Sequence, residues 1–368
     1  MRKHWIDNLR WVTVLLVLLY HVVYFYNNKG VFGGIGGFGD GPQYQDVIMY
    51  LLYPWFMPLL FILAGISARY ALENRSPKEW FRSRTRKLLV PSTLGLFFLG
   101  ALVGWFNVQA APEGTFDNLP LPIRYIIWSI SGIGPLWFIQ DLWLLSVLIL
   151  IVRRLDRRDR LYNACGRTGI FPLILMGVLF WLGHQTLISE PDPQGAQGLL
   201  NLYKPQYYAI PLMMGYLVFS HEPVQETLGR VWIPLMVSAS VAGIVLVMTS
   251  FGQDNTSPQY LGSPLNNIYG WLMCLAMMGW FKARFDRTGK FASYMTRSSY
   301  GIYIVHYLVI ASVGSWLKLD TQLPPFCIYM ILAAAVFLLS PLLYEIIRRI
   351  PLLRWCTFGE KSSPFIVA

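Results

Sequence analysis

Ten runs of predominantly apolar residues recur along the chain, near 9–28, 47–71, 89–108, 134–152, 169–188, 205–220, 231–251, 266–282, 299–317 and 325–347. A helix of about 20 such residues matches the ~30 Å hydrocarbon core of a bilayer. No soluble domain could bury ten of them. Of 368 residues, 55% are hydrophobic and only 13% charged, whereas soluble domains carry roughly 25% charged residues. The expected fold is an all-α, polytopic integral membrane protein, a bundle of about ten transmembrane helices.

The basic residues give an independent test. All but Lys29, Arg124, Lys204 and Lys318 of the 30 lysines and arginines fall in segments that alternate helices would place on one side. Cytoplasmic loops collect such residues, so both termini are expected to be cytoplasmic in an inner cell membrane, with residues 1–368 forming one membrane-embedded domain. This topology and the anionic headgroups it faces account for the net charge of +11. The partner implied is the lipid bilayer, and no nucleic acid is expected.

Nothing else competes with that frame. The first run follows a basic start but has no small-residue cleavage site after it, and so reads as a retained helix. Cys165, Cys274, Cys327 and Cys356 have no metal-ligand spacing, and neither disulfides nor a metal site is expected. Gly34, Gly36 and Gly39 form a literal G-x-G-x-x-G with no strand before it, which reads as a loop. The stretch 109–133 reads as a connection between helices.

Ionisable groups within apolar helices are costly and mark interiors or wet cavities. Arg10 and His21 are separated by three helical turns plus about 20°, a rise of roughly 16 Å, so they share a face, and Asp7 lies one turn before Arg10 on it. An ion-paired anchor with a packed histidine fits this spacing as well as a functional stripe does. In the second run, Pro54 and Pro58 can kink the helix, and Gly65 and Ser67 can admit another backbone. Arg82, Arg84, Arg86 and Lys87 crowd the start of the third run, where such a cluster can anchor topology or hold phosphates. Trp137, Gln140 and Asp141 place an aromatic ring and two polar groups on one face, suited to a sugar or to an interfacial belt. Tyr300, Tyr303, His306 and Tyr307 form a second titratable stripe.

Together these elements resemble the membrane-bound acyltransferase 3 family. Asp7, Arg10 and His21 in "WIDNLRWVTVLLVLLYH" are similar to its opening D-x-x-R-x(10)-H signature. "MPLLFILAGISARY", "SRTRKLLVP", "LWFIQDLWLL" and "SYGIYIVHYLV" resemble four further elements in the family's order. The R-x-x-R spacing is not met, since Lys87 stands three residues after Arg84 and Thr85 three after Arg82. The ending "LLYEIIRRIPLLRW" is similar to the glucan-succinyltransferase (glucans biosynthesis protein C) branch.

The resemblance implies an enzyme, an O-acyltransferase moving acetyl or succinyl from cytoplasmic acyl-CoA, a co-substrate and not a resident cofactor, to a hydroxyl of a carbohydrate or envelope glycan. His21 is then the general base, work that a neutral imidazole, with an unperturbed pKa of ~6.5, suits. Arg10, with Arg84, Arg86 or Lys87, binds the coenzyme phosphates, and Asp7 pairs with Arg10. His306 and Tyr303 orient the base or stabilise the oxyanion, and Trp137, Gln140 and Asp141 meet the substrate. The alternative is a proton-coupled transporter or flippase using Arg10, His21 and His306 as a path. A homo-oligomer is compatible with either reading.

Overall fold

The structure is a computed structural model, and it describes residues 3–28, 34–39, 41–108, 114–116, 118–187 and 204–360. Its longer helices are α1 (His4–Tyr24), α2 (Val47–Glu73), α3 (Pro77–Arg84), α4 (Leu99–Val108), α5 (Leu121–Ser131), α6 (Trp137–Leu155), α7 (Arg160–Cys165), α8 (Ile170–Leu187), α9 (Pro205–Met214), α10 (Glu222–Ser250), α11 (Pro264–Arg284), α12 (Lys290–Leu319), α13 (Pro325–Arg349) and α14 (Pro351–Phe358). The described residues contain no strand.

Helix occupies each of the ten apolar runs. Among the described residues seven helices are long and apolar enough to cross a membrane, and eight if the pair Pro77–Phe97 and Leu99–Val108, bent by 52°, is one span. The two runs that fall short have visible reasons. The run near 205–220 is a ten-residue helix containing Pro211, followed by a π turn at Gly215–Phe219. The run near 266–282 begins with Asn266 and Asn267 and ends in Lys282 and Arg284, which lowers its mean hydropathy. The stretch 109–133 holds an unexpected helix, α5, and part of it lies outside the described residues.

Outward-facing side chains on several of these helices are apolar, including Phe171, Val237, Met248, Phe326 and Leu338. In water such surfaces would associate; against lipid tails they need no cover. This is a multi-pass membrane protein.

The chain divides into two compact units. The first contains residues 1–13, 47–81 and 144–296. Its α2 and α9 meet through glycine. A Cβ on Gly65 would lie 2.1 Å from the Leu212 carbonyl, and one on Gly215 would lie 2.1 Å from the Ile62 carbonyl, so the two backbones touch only because both side chains are absent. α11 starts where Ser263 caps it, accepting from Asn266 N at 3.3 Å, with Pro264 at the first helical position. Below α6, the Arg69 guanidinium pairs with Asp159 at 2.8 Å and lies 3.6 Å from the centre of the Tyr162 ring.

The second unit contains residues 14–46, 82–143 and 297–368. Pro91 has no N–H to offer the Lys87 carbonyl four residues earlier. The backbone widens there into a π turn, Thr85–Leu89, and the Tyr300 hydroxyl donates to that carbonyl. The glycine loop around residues 34–39 is held from α12, where Lys318 Nζ donates to the carbonyls of Ile35, Gly36 and Gly37 at 2.8, 2.6 and 3.0 Å.

Candidate functional site

In the second unit, α1 and α12 bring two histidines of the sequence stripes together. His306 Nε2 lies 3.2 Å from His21 Nδ1, and the ring centres are 5.1 Å apart. His306 is fully buried and His21 half-buried. Tyr307 packs edge-on against His21 with centres 5.4 Å apart.

Their partners fix the protons. His306 Nδ1 lies 2.5 Å from the Tyr303 carbonyl, which can only accept, so Nδ1 carries hydrogen. In the neutral ring Nε2 is then an acceptor. His21 Nδ1 lies 2.9 Å from the Val17 carbonyl, one turn back on its helix, and so it too is a donor, shared between Val17 and His306. Two donors and one direction follow: Tyr303 carbonyl, His306, His21. The chain ends on His21 Nε2, which keeps its lone pair. A proton arriving there would create an imidazolium whose Nδ1–H already faces two acceptors.

Tyr303 takes a supporting place in this chain. Its hydroxyl donates to the Pro135 carbonyl and its ring meets Phe138 edge-on at 5.8 Å, while its own carbonyl holds His306. Beside Tyr307 lies a narrow, largely apolar crevice lined by Pro91, Gly95, Leu99, Pro135 and Leu308 among others.

Trp137, Gln140 and Asp141 stand in the first turns of α6. Gln140 Nε2 donates to the Ser92 carbonyl at 2.9 Å, and Trp143, one turn on, donates to Thr85 Oγ1 at 3.1 Å, so this side of α6 pins the third run. Asp141 is buried, and its Oδ2 has no hydrogen-bond partner among the described residues. Trp137 is half-buried. The basic cluster is split by local geometry. Arg84 ends α3, whereas Arg86 and Lys87 stand on the π turn. Arg82 and Lys87 are exposed, and Arg86 Nε is buried with no hydrogen-bond partner among the described residues.

Within the first unit, Arg10 pairs with Asp7 at 3.2 Å and donates to Ser67 Oγ at 2.5 Å. Ser67 donates onward to the Leu63 carbonyl at 2.7 Å. The Asp7–Arg10 pairing was readable from its i, i+3 spacing. Ser67 was readable only as a small residue, and its role as an acceptor for Arg10 depends on a contact 57 positions away. Likewise the sequence presents His21 and His306 as members of two separate stripes, with no signal that the rings meet.

The arrangement suits proton abstraction: a base with an ordered lone pair, a second imidazole holding its other nitrogen, and an apolar crevice alongside. No curated protein and no solved structure gives a significant match to the chain. A family model described as an acyltransferase domain matches residues 3–345, and the chain therefore belongs to the acyltransferase 3 family of membrane acyltransferases.

Proposed function

We propose that this membrane acyltransferase moves an acetyl or succinyl group from acyl-CoA to a carbohydrate hydroxyl, with His21 Nε2 as the general base. The observation that carries the reading is the order of the histidine pair, which leaves that nitrogen as the one with a lone pair.

A sugar hydroxyl is a weak nucleophile at neutral pH, so its proton must leave as its oxygen attacks the thioester carbonyl. Nε2 takes that proton. The new C–O bond forms, a tetrahedral oxyanion collapses, and the C–S bond breaks. The coenzyme sulfur leaves with the electron pair and receives the proton back from Nε2–H. His306 positions the base throughout by accepting from its Nδ1–H, and Tyr303 positions His306. The buried Nε of Arg86, unpaired among the described residues, with Arg84 and Lys87 next to it in sequence, supports a phosphate-binding role for the π turn.

Membranes containing the protein should transfer label from acetyl-CoA or succinyl-CoA to a cell-envelope glycan. His21→Ala should leave the protein inserted and folded but abolish transfer. Transfer by that variant at the parent's rate would overturn the assignment.

A further inference from the structure

We propose that the connection between α6 and α8, in the first unit, is a discrete binding site for anionic phospholipid headgroups. The distribution of lysine and arginine assigns this end of the unit to the cytoplasmic side. That rule counts charges along the chain; which of them stay unmatched is decided by the fold.

Residues 153–167 hold Arg153, Arg154, Arg157, Arg158, Arg160 and Arg167, against Asp156 and Asp159 alone. Both carboxylates are taken up in building the connection. Asp156 accepts from the backbone N–H groups of Leu161 and Tyr162 at 3.2 and 3.0 Å, which starts α7. Asp159 makes the bend before it, with φ at 51°, and accepts from two nitrogens of Arg69 at 2.8 and 3.2 Å. Arg153 donates to the Leu72 carbonyl at 3.0 Å. The other five arginines are exposed, and no carboxylate pairs with any of them among the described residues. The fold thus commits both acids to internal bonds and leaves these arginines as uncompensated charge.

Apolar side chains are exposed on the same segment. Leu155 at the end of α6 is 81% exposed, Leu161 on α7 51%, and Phe171 in the first turn of α8 69%. The charge alone would suit any soluble polyanion, but such a partner would leave the leucines and the phenylalanine in water. An anionic leaflet meets both kinds of side chain. Its phosphates fit the guanidinium forks, and its acyl chains receive the apolar groups interleaved with them in sequence.

Native mass spectrometry of the full-length protein in detergent tests this, with dioleoyl-phosphatidylglycerol and dioleoyl-phosphatidylcholine titrated in parallel. The phosphatidylglycerol should be retained more tightly. Arg157→Gln and Arg160→Gln should each weaken it roughly fivefold, with phosphatidylcholine unchanged, and neither variant removes an ion pair from the fold. Arg230→Gln controls for bulk charge, because Arg230 is also exposed but has Glu226 at 3.9 Å. It lowers the net charge equally and should bind the lipid as the parent does. Leu155→Ser, which alters no charge, should weaken phosphatidylglycerol as well, and glycerol 3-phosphate should not displace it. Equal retention of the two lipids by the parent, equal losses for Arg157→Gln and Arg230→Gln, or unchanged affinity in Leu155→Ser would overturn the proposal. So would displacement by glycerol 3-phosphate, which would reduce the patch to a site for soluble anions.

Discussion

Each of the two units buries a histidine against a partner on another helix, and the partners differ in kind. His184 in the first unit faces an amide. Asn267 is itself pinned by two carbonyls, so its Oδ1 fixes the orientation of the ring, and a proton passed along that contact has nowhere to go. His21 in the second unit faces another imidazole. His306 can accept a hydrogen bond in one state and bear a proton in another, and the pair is ordered only by the Val17 and Tyr303 carbonyls at its ends. An amide partner makes a buried histidine a fixed strut, whereas an imidazole partner makes it responsive to charge.

The widest separation between the two should appear on removing the rings. His21→Ala should lower acyl transfer by roughly a hundred- to ten-thousand-fold, measured with labelled acyl-CoA, with no matching loss of folded protein. His306→Phe should cost about ten- to a hundredfold, because a hydrogen bond to a charged group contributes about 1.5–3 kcal/mol. His306→Gln, whose amide oxygen can still accept, should recover part of that rate. Equal rates for the glutamine and phenylalanine variants would erase the distinction between a positioning imidazole and simple packing.

In the first unit the reading reverses, and stability should carry the effect. Asn267→Leu leaves His184 Nδ1 without its acceptor and should cost about 1–3 kcal/mol, read as a lower unfolding midpoint in detergent. The smallest change belongs to Asp159, whose carboxyl is held below its usual value of 3.8 chiefly by the hydrogen bond from Arg69. The pair therefore stabilises the fold above that value, and its contribution is lost as pH falls through the depressed value. Asp159→Asn should cost less than about 1 kcal/mol at neutral pH, since the group is partly exposed, and should remove this part of the acid sensitivity. Asparagine tolerates the left-handed backbone at this position, where φ is 51°, so the variant isolates the charge.

The apolar runs were legible as helices because length and hydropathy are local properties. Their number as spans was less so. Pro211 with the π turn after it, the bend at Phe98 and the paired asparagines of α11 each act on a helix that hydropathy alone presents as ordinary. α5 escaped notice because eleven residues with Arg124 among them are too few to span; a Cβ at Gly132 would lie 1.8 Å from the Gly100 carbonyl, so its packing on α4 needs an absent side chain. For the site, Asp7 with Arg10 follows from spacing. Gln140 does not, because its partner is a backbone carbonyl 48 residues away that no side-chain pattern advertises. The meeting of His21 with His306 spans 285 positions, and only tertiary structure sets the order of their protons.

The tether of the glycine loop has a consequence of a different sort. Lys318 is held there by three backbone carbonyls, with no carboxylate against it among the described residues and the Phe38 ring 5.6 Å away. A backbone carbonyl, unlike a carboxylate, does not titrate as pH falls. Acidification that frees Asp159 from Arg69 would leave this loop fastened, so the two ends of the protein's pH response are governed by different chemistry.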